Sequence, residues 1–128
     1  MFLIHDLDKF IQEALEHFML ATKGMKPHAI LYYRDGLSEG QYDKAVKYEM
    51  TMLRRGIQAE TFQRAGKYEP GITMLSVQRR HNVKFFCDPD RAVGKAMNVP
   101  AGTVIDHDVT SSEHFDFYMY CHAGMMVI

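Results

Sequence analysis

Leu7, Phe10, Ile11, Ala14, Leu15 and Phe18 recur at intervals of three and four residues, the spacing that lines one face of an α-helix. Asp6 and Asp8 stand at the start of this run, and Gly24 followed by Pro27 stands at its end. The pattern predicts an amphipathic helix over roughly residues 7 to 23, with acidic residues capping its start. Ala29-Ile30-Leu31-Tyr32-Tyr33 is short, apolar and aromatic, and Arg34-Asp35-Gly36 closes it. That reads as a buried strand running into a tight turn. Ser38 and Gln41 lie three apart and fit a capping box. A long helix is expected to follow through Val46, Met50, Leu53 and Ile57 and to end near Gly66. Residues 71 to 78 form a second apolar strand after Pro70-Gly71, and Arg79, Arg80, His81 and Lys84 come directly behind it. Phe85-Phe86-Cys87 is read as a further short strand. Residues 88 to 102 are read as a loop because of Pro89, Gly94, Pro100 and Gly102. Val104-Ile105 and the stretch from Phe115 to Tyr120 supply the last two strands.

Helix, strand, helix, strand and then more strands is the order of an α/β layer fold. In open α/β sheets, binding and chemistry gather beyond the carboxyl ends of the strands. Asp35 lies at such an end, and so does the Arg79 to Lys84 cluster.

Composition narrows the picture. Hydrophobic residues make up 47% and charged residues 24% of the 128, proportions of one globular domain and not of a disordered chain. The net charge of -1 denies the chain the general basic surface of many nucleic-acid binders, so any grip on phosphate must be local. Cys87 and Cys121 are too few for a disulfide framework, and no secretory signal precedes them. No apolar run is long enough to cross a membrane. The final Met125-Met126-Val127-Ile128 has no polar tail. The chain is therefore read as a fragment, or as one that needs neighbouring protein to cover it.

Four constellations carry candidate chemistry, each with a plainer alternative. Asp35 at a strand end is a candidate ligand for Mg²⁺, or it satisfies the backbone of a turn. Spacing alone favours the turn. Arg79, Arg80, His81 and Lys84 are candidate phosphate contacts, or a solvated strand end. Asp106-His107-Asp108 has metal-ligand types. Adjacent strand residues point to opposite faces, so a polar turn is preferred. Cys121-His122 pairs a nucleophile with a base by type, but no third orienting group is evident. The ten methionines mostly hold core-like spacing.

Taken together, these stretches resemble one family. Tyr33-Arg34-Asp35-Gly36-Leu37-Ser38-Glu39-Gly40-Gln41 resembles a stretch of the Argonaute PIWI domain, with Leu37 in place of valine. Tyr68-Glu69-Pro70-Gly71-Ile72-Thr73, Val77-Gln78-Arg79-Arg80-His81, and Pro100-Ala101-Gly102-Thr103-Val104-Ile105-Asp106 resemble later stretches of the same domain. Phe115-Asp116-Phe117-Tyr118 and His122-Ala123-Gly124 do so too. All keep the family's order and cover almost the whole chain. They are more similar to the Argonaute branch than to the animal Piwi branch.

The resemblance implies a partial PIWI domain over residues 1–128 with an incomplete RNase H-like α/β fold, a mixed sheet flanked by helices. It implies a guide-RNA-binding segment of an RNA-silencing protein. The family's slicers cut target RNA with a carboxylate set and a histidine around two Mg²⁺ ions. Asp35 matches the second catalytic aspartate and is the implied catalytic and metal residue. Arg79, Lys84 and His122, with Arg80 behind them, match places that hold the guide backbone. The departures limit this. The family's first aspartate lies upstream of Met1, Phe2 or Leu3 stands where a glutamate belongs, and the catalytic histidine lies beyond the chain's end. Asn82 replaces a frequent second histidine. One carboxylate cannot arrange two metal ions, so Mg²⁺ is expected only if missing parts complete the site. The implied partners are guide small RNA, target RNA and the remainder of a PIWI and MID module, in the cytoplasm or else the nucleus, with no membrane. Two alternatives stand beside this: a non-catalytic remnant acting through protein contacts, and a generic α/β metal-dependent phosphotransferase. The matches outside Asp35 tell against the second.

Overall fold

The computed structural model describes residues 2–123. Met1 and residues 124–128 lie outside them, and so does the apolar closing run. The chain divides into two compact units, Met1–His81 and Asn82–Ile128.

The first unit holds two long helices and a short third one with a pair of strands. Helix α1 spans Leu7–Ala21, and the left-handed Gly24 (φ 90°) ends the turn behind it. Of the two expected caps, Asp8 accepts a bond from the Lys9 N–H at 3.0 Å. The Asp6 side chain caps nothing. Strand β1 spans Ala29–Asp35. Ser38 N–H donates to Gln41 Oε1 at 3.1 Å, one arm of the expected box. It starts a 3₁₀ turn, Glu39–Gln41, that feeds helix α2, Tyr42–Ile57.

Helix α2 stops short of the expected end near Gly66, and a separate short helix α3, Glu60–Gln63, follows. Ala59 turns extended (ψ 141°) between them. The break seats Phe62 in the core at 1% exposure. The Gln63 amide nitrogen donates to the Ile57 and Tyr68 carbonyls at 3.0 Å each, and the first of these is a carbonyl that the break frees.

Strand β2, Gly71–Val77, pairs parallel with β1 from Ala29↔Gly71 to Asp35↔Val77. The intervening helices make the crossover that a parallel pair requires. The expectation of a buried strand is corrected for β1. Ile30, Tyr32 and Arg34 turn towards the helices, while Leu31 and Tyr33 are 59% and 66% exposed. A strand covered on one face alternates in burial; one covered on both does not.

Leu7, Ile11, Leu15, Leu53, Ile57 and Phe62 form the core, each stabilising the fold by roughly 1.5–3 kcal/mol. The helical stripe is narrower than its sequence pattern, since Phe10 and Phe18 are exposed. Helices α1 and α2 meet at Gly56. A Cβ there would overlap the Ile11 Cγ2 methyl and the Asp8 carbonyl oxygen.

One polar cluster lies inside this apolar layer. Glu49 is fully buried and Arg34 is 9% exposed. Arg34 Nε donates to both Glu49 oxygens at 3.1 Å. Tyr32 OH donates to Oε2 at 3.0 Å and Ile4 N–H to Oε1 at 3.1 Å. Burial, with Glu49 beside it, pushes the Tyr32 phenol up to about 12.

The second unit is looser. Strands β3, Val104–Ile105, and β4, Tyr118–Met119, pair antiparallel. Phe85 packs edge-on to Tyr118 and Tyr120, with centroids 5.1 and 6.4 Å away. The expected strand at residues 85–87 is corrected: Phe85 is used as a ring, and its segment has no ladder partner among the described residues. The expected strand from Phe115 narrows to two residues, with Phe115 fully exposed. The expected loop 88–102 contains a 3₁₀ turn, Pro89–Arg91, and a bridge between Val93 and Asn98.

Urea unfolding of two variants checks this packing. Glu49→Ala is expected to cost about 3–5 kcal/mol, because it strands a buried guanidinium. Gly56→Ala is expected to cost about 1–3 kcal/mol by overpacking. Helix propensity alone would make that change stabilising by about 1 kcal/mol.

Candidate nucleic-acid interface

The parallel register decides where the charges go. With Asp35 beside Val77, both strands finish at one level, and Arg79 follows two residues later. Arg79 Nη2 donates to Asp35 Oδ2 at 2.9 Å. The two side chains are 81% and 57% exposed. Two residues expected to serve different ligands are thus bonded to each other.

The backbone beneath them is held from the core. Arg34 Nη1 donates to the Asp35 carbonyl and Nη2 to the Phe2 carbonyl, while its Nε is fixed on Glu49. Gly36, left-handed at φ 82°, lets the chain leave β1 sharply. On the β2 side, Tyr42 OH donates to Gln78 Oε1 at 2.7 Å, and Gln78 Nε2 donates to the Arg80 carbonyl at 2.8 Å. The start of α2 therefore steadies the Arg79-Arg80 segment, and Arg80 is exposed.

Of the expected contacts, the structure brings Asp35, Arg79 and Arg80 to one strand end. Lys84 and His122 belong to the second unit, and both are exposed. Sequence reasoning missed Arg34, Glu49, Tyr42 and Gln78. Two of these had a signal. Arg34 keeps the parity of Ile30 and Tyr32, and Glu49 lies four residues from Ala45 and from Leu53. Each is a charge placed where its neighbours are apolar.

The donor set does not fit a hard cation. Among the described residues, no group of three or more His, Cys, Asp or Glu converges to hold a metal. The Asp35 carboxylate is bonded to a guanidinium. Phe2 and Leu3 bring no oxygen ligand from their side chains.

A family model, described as the Piwi domain, matches residues 2–127. The chain belongs to the Piwi domain family. The fold class of a Piwi domain is RNase H-like α/β, and here it takes incomplete form, with a two-stranded parallel and a two-stranded antiparallel pairing among the described residues. An Argonaute-like nucleic-acid-binding role follows from the family. The exposed cations at the strand end of this Piwi domain chain are of the type such a role needs.

Elsewhere the polar-turn reading of Asp106-His107-Asp108 holds. Asp108 is left-handed at φ 66°, and Thr110 Oγ1 donates to the Asp106 carbonyl at 3.3 Å. His107 Nδ1 and Asp108 Oδ2 lie 2.9 Å apart. The Asp108 hydrogen bond and charge, then Asp106, raise the His107 pKa above its usual 6.5. The pair's contribution to stability is therefore whole below about pH 6.5 and is lost as pH rises through the raised value. Asp108→Asn is expected to bring that value down, measured by NMR titration of the His107 ring.

Proposed function

We propose that this chain is a guide-RNA-binding segment of an Argonaute-like RNA-silencing protein and is catalytically incomplete by itself. One observation carries the reading: the parallel pair delivers Arg79 and Arg80 in exposed positions at the carboxyl end of the sheet, in a chain of a nucleic-acid-binding family. Arg79, Arg80 and Lys84 neutralise guide phosphates, and His122 adds a hydrogen bond. With a net charge of -1, affinity rests on these few cations and falls with salt. Target RNA is recognised by the guide's bases, and a MID module and the remainder of the PIWI domain are the protein partners. Asp35 would hold Mg²⁺ only in a site whose other ligands come from outside this chain.

A second reading, association with another protein, draws on the apolar side chains Leu31, Tyr33 and Val77 that β1 and β2 leave exposed. Contiguous apolar surface of this kind marks interaction sites.

Fluorescence anisotropy of labelled single-stranded RNA across a salt series separates the two. Guide binding is expected to weaken with salt. The Arg79/Lys84/His122 triple alanine variant should have a slope shallower by about 0.7 for each phosphate it no longer neutralises. No binding by a folded chain would move the protein-contact reading ahead. Mg²⁺-dependent RNA cleavage by the purified chain, abolished in Asp35→Ala, would overturn the catalytically incomplete reading.

A further inference from the structure

The same strand end carries a constraint that neither expected ligand explains. Arg79 already gives one Nη2–H to Asp35 Oδ2, 2.9 Å away, so a phosphate that takes that hydrogen displaces the carboxylate, and one that takes the remaining N–H groups binds beside it. We propose that Asp35 acts in this chain as the resident counter-ion of Arg79, a built-in competitor that lowers the affinity of the strand end for phosphate. The inference rests on the reading of Arg79 as a phosphate contact and adds to Asp35 a role opposite in sign to that of a metal ligand.

Three observations support it. The backbone that carries the carboxylate is anchored, because Asp35 is paired to Val77 in the sheet and its carbonyl is held by Arg34, itself fixed on the buried Glu49. The pair is open to solvent, with Arg79 81% and Asp35 57% exposed, so a phosphate can reach the guanidinium. No converging set of acidic or imidazole ligands among the described residues recruits Asp35 away from Arg79.

The exchange conserves hydrogen bonds and breaks no covalent bond. A guanidinium donates to carboxylate and phosphate oxygens alike. Where the phosphate takes the shared Nη2–H, one bond passes from Oδ2 to a phosphate oxygen and the released carboxylate is hydrated; where it takes the other N–H groups, the pair stays intact, and either way the carboxylate keeps its place. It then lies beside the bound phosphate, and like charges at short range repel. The new repulsion weakens anion binding, and in the first case so does the broken pairing. An exposed pair is worth little, so the effect is modest.

The test uses the intact chain, a fluorescein-labelled oligouridylate, and buffers containing either EDTA or MgCl₂. Asp35→Asn keeps the side-chain shape and removes the charge. It is expected to tighten RNA binding about two- to fivefold in both buffers. In an Arg79→Gln background the same change is expected to leave affinity unaltered. Weaker binding in Asp35→Asn, or an equal gain in both backgrounds, overturns the proposal. A loss confined to MgCl₂ would mark a metal ligand, and an equal gain in both backgrounds a bulk charge effect.

A second titration removes dependence on RNA. The Arg79 Nε–H NMR resonance is followed against inorganic pyrophosphate, and its midpoint should fall by the same factor in Asp35→Asn. A midpoint that does not move overturns the proposal. A shifted midpoint without RNA binding upholds the counter-ion and removes the guide reading. RNA binding that Asp35→Asn leaves unchanged does the reverse.

Discussion

The placement of the parts of the first unit depends on a charge pair almost wholly removed from water. Glu49 arrives from α2, Arg34 from β1, and Ile4 from the segment before α1. Desolvating two ions costs several kcal/mol each, and only the close fork between Arg34 Nε and the Glu49 carboxylate, supplemented by Tyr32 and Ile4, makes the arrangement tolerable. An apolar pair of equal volume would hold the layers together as well. What the ions add is uniqueness. A helix displaced by one residue would leave an unsatisfied charge in the core, whereas a displaced leucine would find another apolar neighbour.

That uniqueness is passed outward. The guanidinium that fills Glu49 also holds the carbonyl of Asp35, and the parallel ladder carries the same level across to Val77. The exposed ion pair is thus the last link of a chain that begins in the core. Its position is set by buried bonds even though its own strength is slight.

Much of this was legible in the sequence. The helix over Leu7, Ile11 and Leu15, the two long strands and the turn at Gly36 follow from spacing and turn chemistry. The strand-end location of Asp35 and Arg79 follows from them. Other features depend on partners distant in sequence. Phe62 ends α2 early because the core has room for its ring, and local propensity contains no such information. Phe85 is apolar enough for a strand, but it is used as a ring against Tyr118 and Tyr120. The bond between Arg79 and Asp35 spans 44 positions and needs the parallel register before it can be seen.

The outward face of β1 has a consequence of its own. Leu31 and Tyr33 present oil-like surface to water on a scaffold whose net charge is -1. Mutual repulsion between molecules is therefore feeble. Crowding should favour contact between such molecules. The solution behaviour of the isolated chain would then be colloidal in character, governed by concentration as much as by sequence.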